Sequence, residues 1–265
     1  MSDRLCCMCL SILHRRHSIP LAWRCYAPGH VPCRQPDLVK AILQQAHDAL
    51  DPGAVPVLML DRGLAWPALV DWCREHRWHF IMRLQGQTCV CLENPGGSWK
   101  KPVSAACLAG AKGGTPVMGR AKVFKTVGYR VVNFVGVWPR QAKDRWLLAT
   151  DLRASLKRCR EYAKRMDAEH GFRDQKSHGL NWQASRITRP QHAAMLVLAM
   201  ALALYLLYAV AALPEASQTL RGALERADRH ALSVLQLGIR WLKRTLMLPQ
   251  ACWPEPPPLQ ISVGR

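Results

Sequence analysis

Residues Ala193 to Leu213 contain no charged side chain, and no other stretch of the chain restricts its fold as strongly. At about 1.5 Å of rise per residue, a helix of this length matches the ~30 Å hydrocarbon core of a bilayer. An uncharged helix of this kind has two homes, a membrane or the interior of a protein. Eight of its residues are alanine, which lowers its hydrophobicity and suits close packing of a buried helix. Both flanks carry basic residues, so no orientation across a membrane can be argued from charge.

The remainder of the chain is strongly basic. Of its 265 residues, 37 are Lys or Arg against 18 Asp or Glu, a formal net charge of +19. Such a surface attracts polyanions in a salt-dependent way, with nucleic acid the first partner to consider and an anionic membrane or a ribosomal surface the alternatives. Hydrophobic residues make up 49%, enough to bury the core of one or two domains. Eleven cysteines scattered from Cys6 to Cys252 do not form the dense, even framework of a small secreted domain, and read as reduced thiols in a cytoplasm. Met1 to Cys9 also lacks the basic start, apolar run and cleavage site of a secretory signal. Cys6, Cys9, His14 and His17 resemble a zinc set. However, the four-residue gap between the pairs is far shorter than the roughly twelve that let a zinc finger fold back. The other reading makes Leu5 to Leu13 a strand in which Cys acts as a small hydrophobe.

Leu5 to Trp23 alternates like a strand, or a strand with its partner, ending at Pro20. Gln35 to Leu50 has helical spacing. Val55 to Leu60 is a short apolar run that stops at Asp61, Arg62 and Gly63; Pro67 opens a helix through His76, and His79 to Leu84 is a second apolar run. This strand, turn, helix, strand order places Asp61 at the carboxyl end of a strand, where open α/β sheets collect ligands. From Gly86 to Val137 come short β-prone pieces, Thr88 to Leu92, Val117 to Val127 and Tyr129 to Val137. Trp146 to Thr150 resumes a core strand, and Asp151 is placed to cap a polar helix that reaches Ser177 and closes at Gly179. An amphipathic helix is expected from about Leu220 to Met247, then a proline-rich tail.

On the polar helix, Tyr162, Arg165, Glu169 and Lys176 stand at offsets of zero, three, seven and fourteen. At about 100° per residue they fall within an arc of roughly 60°, with Arg173 close by and Asp167 and Asp174 near the opposite side. Glu169 is thus the one carboxylate in a basic and aromatic stripe. A carboxylate among cations suits a phosphodiester substrate, since it can hold a divalent metal while its neighbours neutralise phosphate charge. The same pattern also describes a solvated helix face with ordinary spaced ion pairs.

The string Tyr-x2-Arg-x3-Glu-x6-Lys resembles the YREK signature of a large group of bacterial insertion-sequence DDE transposases. Ile19 to Trp23 resembles the family's early strand ending, Leu60 to Gly63 its second-aspartate motif, and Trp146 to Leu152 the strand before its glutamate helix. The resemblance extends to about residue 245. It implies an α/β fold with an RNase H-like catalytic core, an inserted β-rich subdomain and C-terminal helices. The expected divisions are 1–85 and 141–250 for the two parts of the core, 86–140 for the insertion and 251–265 for a flexible tail.

The resemblance further implies metal-dependent cleavage and strand transfer at the ends of an insertion sequence, in the cytoplasm and close to the nucleoid. Asp61 and Glu169 would be catalytic carboxylates binding two Mg²⁺ ions, with Mn²⁺ able to substitute. Tyr162, Arg165, Arg173 and Lys176 would contact double-stranded transposon-end and target DNA. Trp182, six residues beyond the lysine, would stack on an unpaired base, the alternative being an ordinary buried Trp. Homo-oligomerisation on DNA is compatible with this reading. In the family the long apolar helices pack into the core, which turns 193–213 away from a membrane role.

One departure stands out. A DDE site needs a first aspartate on a strand ahead of Trp23, and Asp3 is the only acid before Asp37. Two residues before Asp3 are too few to build a strand that holds it. The expectation is therefore a truncated transposase with two of its three metal ligands, inactive alone, with the alternative of a fragment that only binds DNA or co-assembles with intact enzyme.

Overall fold

The computed structural model describes residues 5–14, 17–173, 175–176, 180–216, 221–225 and 232–247. Asp3, Asp174, the expected helix end at 177–179 and the tail 251–265 lie outside the described residues. The chain divides into two compact units, one holding the described residues up to Leu38 and from Met166 onward, the other Val39–Arg165.

In the first unit, β1 (Cys6–His14) and β2 (His17–Tyr26) form an antiparallel pair running from Cys6↔Tyr26 to His14↔His17. Pro20 was expected to end a strand, but lies within β2. The register shifts between Leu10 and Ser11, so Ser11 faces Pro20 at a bulge, where a residue without an N–H is tolerated.

The long apolar segment is a single helix, Pro190–Ala216. By length and composition it could cross a membrane, and 44% of its most apolar window is buried. Leu204, Leu207 and Tyr208 on this helix meet Leu235 and Ile239 of a helix at Val234–Met247, with Ile19 of β2 against the same cluster. Trp23 Nε1 donates to the Ala194 carbonyl at 3.1 Å, and the rings of His17 and Tyr208 stack at 4.6 Å.

The expected helix from Leu220 to Met247 is not continuous over the described residues, because 232–233 are non-helical and the helix begins at Val234. Its start is a reciprocal cap. The Ser233 hydroxyl accepts from the Gln236 N–H at 3.3 Å, and the Gln236 side chain accepts from the Ser233 N–H at 3.3 Å.

The second unit is built on a mixed sheet. Its described strands are β3 (Val57–Leu60), β4 (His79–Arg83), β5 (Cys89–Leu92), β6 (Val103–Ser104), β7 (Val117–Val123), β8 (Arg130–Val137) and β9 (Trp146–Thr150), in the order β3-β4-β9-β8-β7-β5-β6. β3 and β4 pair in parallel, as a strand, helix, strand unit requires, with α2 (Pro67–Glu75) between them and Pro67 in its first turn; α1 is Gln35–Ala49. Every other pairing is antiparallel. The β-prone pieces of 86–137 do not form a sheet of their own, because β8 hydrogen-bonds to β9 and carries them onto the same sheet.

Three consecutive residues of β4, Phe80, Ile81 and Met82, are fully buried, so both faces of the strand are covered. Burial of such side chains contributes about 1.5–3 kcal/mol each. His47 of α1 accepts a 3.2 Å hydrogen bond from Trp78 Nε1, and the Trp72 ring of α2 meets the Trp78 ring edge-on at 5.2 Å, which ties α1 and α2 to the start of β4.

Between β5 and β8 lies the short helix α3 (Ala105–Leu108). After β9 come α4 (Leu156–Ala163) and α5 (Arg165–Arg173); the apolar helix Pro190–Ala216 is α6 and Val234–Met247 is α7. The single polar helix expected from Asp151 is therefore two helices. Asp151 does not cap it. Its carboxylate takes the Phe80 N–H at 2.9 Å and His79 Nδ1 at 2.5 Å, and Ser155 stands at the N-cap of α4. α4 ends at Lys164, whose N–H closes a tight turn on the Glu161 carbonyl at 3.0 Å.

Candidate active site at the carboxyl end of the parallel strands

Strands β3 and β4 run in the same direction and β9 runs against them, so Leu60, Arg83 and Trp146 approach the same end of the sheet. Asp61 is the first residue beyond β3. Leu58 and Leu60 are buried, which anchors the strand, and the chain then enters a 3-10 turn at Arg62–Leu64. Asp61 caps that turn by accepting from the Arg62 N–H at 2.8 Å. Half of its side chain remains exposed to solvent.

Two side chains converge on this carboxylate. The Tyr162 hydroxyl donates to Asp61 Oδ1 at 3.3 Å, and Arg165 Nη1 lies 3.9 Å from Asp61 Oδ2. Tyr162 is positioned by packing: it is 4% exposed, lies among Ile81, Val135, Leu148 and Cys159, and meets the Trp146 ring edge-on at 6.1 Å. Arg165 stands over the Tyr162 ring, 5.7 Å from its centre.

The electrostatics follow from these contacts. Burial pushes the Asp61 carboxyl upward, but the Arg62 N–H, the Arg165 and Arg83 guanidiniums and the Tyr162 hydroxyl outweigh it and hold the group below the usual carboxylate value. Burial pushes the Tyr162 hydroxyl up to about 12, so it stays protonated and remains a donor to Asp61. Asp144, in the turn before β9, is held low chiefly by its hydrogen bond from Arg62, with Arg83 and Lys143 adding to the effect.

The break at Lys164 changes the stripe read from the sequence. Tyr162 turns into the core on α4, while Glu169 and Arg173 are exposed on α5 and Lys176 is half-buried beyond it. Asp61, Tyr162 and Arg165 come together in the second unit. Glu169, Arg173, Lys176 and Trp182 belong to the first, where Trp182 is half-buried in a 3-10 turn, Trp182–Ser185. Among the described residues no group of three His, Cys, Asp or Glu side chains is placed to hold a metal, and this includes the cysteines near Cys6 and Cys9.

Arg83 and Asp144 escaped the reading of the sequence. Arg83 closes a buried strand and reaches Asp61 only electrostatically, and Asp144 is a lone acid in a basic turn. Neither carries a local pattern.

The family model of the transposase DDE domain matches residues 35–206, which covers β3 and Asp61 through most of α6. The chain belongs to the DDE transposase family. Among curated proteins no relative matches it. For a DDE transposase the substrate class is DNA, and enzymes of the family generally use divalent metals. The partly exposed carboxylate of Asp61, kept ionised at the end of a strand, has the donor chemistry that such a metal takes.

Proposed function

We propose that this chain is the catalytic core of a bacterial insertion-sequence transposase of the YREK group, which cuts and rejoins phosphodiesters at the element's ends. The observation that carries the reading is the ionised carboxylate of Asp61 at a strand end, gripped by Tyr162 and Arg165 inside a family match that spans both. The fold that goes with this reading is an RNase H-like core, with 86–140 as its β-rich insertion.

Asp61 and Glu169 are the proposed ligands of Mg²⁺, or of Mn²⁺ in its place. The metal would supply activation of the attacking oxygen and stabilisation of the leaving one. The chain's own residues then have distinct tasks. Tyr162 and Arg165 fix the orientation of the Asp61 carboxylate, and Arg165 also offers its guanidinium to the phosphate beside it. Arg173 and Lys176 bind the DNA backbone, and Trp182 stacks on an unpaired base. Work on double-stranded DNA places the protein in the cytoplasm beside the nucleoid.

A second reading is DNA binding or co-assembly with an intact transposase without cutting. Mg²⁺-dependent nicking of an end-bearing duplex, measured beside its binding, separates the two. The first reading expects nicking that Asp61→Asn and Glu169→Ala abolish while binding survives. Normal cutting by Glu169→Ala would sink it, and binding with no nicking by the parent chain supports the second.

A further inference from the structure

Arg62 and Arg83 aim at the same atom. Arg62 Nη2 lies 2.7 Å and Arg83 Nη2 3.6 Å from Asp144 Oδ2. Arg83 is an unusual place for a cation, because its side chain is only 12% exposed and its Nε has no hydrogen-bond partner among the described residues. Its Nη2 also donates to the Arg145 carbonyl at 3.0 Å, so it is fixed from the residue next to Asp144. Arg62 directly follows Asp61, and Arg83 acts electrostatically on Asp61 as well. This end of the sheet therefore holds Arg62, Arg83 and Arg165 against Asp61 and Asp144, and removing Asp144 from the set leaves a clear surplus of positive charge.

We propose that Arg62 and Arg83 form a phosphate-binding subsite next to Asp61 and that Asp144 occupies it as an internal carboxylate stand-in until a DNA phosphodiester displaces it. Two guanidiniums directed at one anionic oxygen reproduce what a phosphate oxygen requires. A buried arginine with an unused Nε–H is costly unless an anion is close, which gives the stand-in a structural purpose in the DNA-free chain. Displacement is within reach, since Asp144 sits in the turn joining β8 to β9, and both it and Arg62 are half exposed. The acid is flanked by Lys143 and Arg145, with Arg140 in the same turn, so its departure leaves a wholly basic turn for the backbone of the incoming strand. Asp144 would thereby weaken binding to any polyanion and reserve the subsite for a ligand with several phosphates in register.

The inference rests on the reading of the chain as a DNA-handling enzyme. Its test is the affinity of the full chain for a short fluorescent DNA duplex over a range of KCl concentrations. Asp144→Asn is compared with Asp48→Asn, which makes the same charge change at an acid that accepts from Gln44 instead of an arginine. The expected result is a roughly five- to tenfold tighter complex for Asp144→Asn, with a salt slope steeper by about one, because the two freed guanidiniums together neutralise one further phosphate and release the cation condensed on it. Asp48→Asn should move much less. In an Arg62→Gln background most of the gain from Asp144→Asn should disappear, which a general charge effect would not produce. Equal gains from the two Asn variants, or a gain untouched by Arg62→Gln, overturn the subsite while leaving the transposase reading in place. Absence of duplex binding by every variant overturns both.

Discussion

The hydroxyl of Tyr162 reaches the carboxylate of Asp61 at 3.3 Å although the two residues are 101 positions apart. The ring is held by the core of the second unit, so the bond joins a rigid donor to a partly exposed acid. Tyr162→Phe should keep the packing and lose only the hydrogen bond, a loss of about 0.5–1.5 kcal/mol. Tyr162→Ala should cost about 3–5 kcal/mol through the cavity it leaves. Urea denaturation of the two variants reads the difference, and equal midpoints would contradict the packing role of the ring.

Helices α6 and α7 meet at Gly238. A Cβ there would stand 2.4 Å from the Leu207 carbonyl oxygen and 3.3 Å from Ala211 Cβ. Backbone cannot turn aside as a side chain can, so Gly238→Ala should push the helices apart and destabilise the first unit by about 1–3 kcal/mol. Gly222→Ala, where a Cβ meets nothing within 4 Å, is the control and should change stability by less than ~1 kcal/mol. Thermal unfolding of both proteins checks the pair.

Cys7 and Cys25 are register partners across β1 and β2. The hydrogen bond between them pushes the Cys7 thiol up, together with burial, and the same bond lowers Cys25 against a smaller opposing effect of burial. Because the thiolate is the nucleophile, iodoacetamide at mildly alkaline pH should label Cys25 before Cys7. Replacing Cys7 with Ala should slow labelling of Cys25. Peptide mapping over time measures both, and faster labelling at Cys7 would reverse the assignment of donor and acceptor.

Asp71 accepts from Arg130 Nε and Nη2, each at 2.6 Å, and this pairing is the main reason its carboxyl lies below the usual 3.8. A depressed folded-state value stabilises the protein above 3.8, and the contribution disappears as pH falls through the lower folded value. The pair is half exposed, so its worth is at most the ~1 kcal/mol usual for surface ion pairs. Asp71→Asn should therefore be slightly less stable than the parent near neutrality and converge with it in strong acid. Denaturation at several pH values follows the convergence, and a gap that widened in acid would contradict the sign.

The sequence by itself determined the local elements around the site. The apolar run Val57–Leu60, the proline opening α2 and the second run His79–Arg83 required a parallel pair with Asp61 at its end, because periodicity and proline geometry act over a few residues. The uncharged stretch required α6, whereas the start of α7 at Val234, behind the Ser233–Gln236 cap, was not read from the sequence, which ran that helix on from about Leu220.

Only the tertiary structure decided the rest. Tyr162 is buried on α4, which packs against β8 and β9, while Glu169 and Arg173 on α5 are exposed, a difference set by a sheet that helical periodicity does not contain. Asp151 gave up its expected cap for His79 and the Phe80 N–H, 72 and 71 residues away. The capture of Asp144 by Arg62 and Arg83 spans 82 positions in the first case and depends on the order β3-β4-β9. These relations join groups far apart in the chain, where a charge finds its partner only after the sheet has brought both to one end.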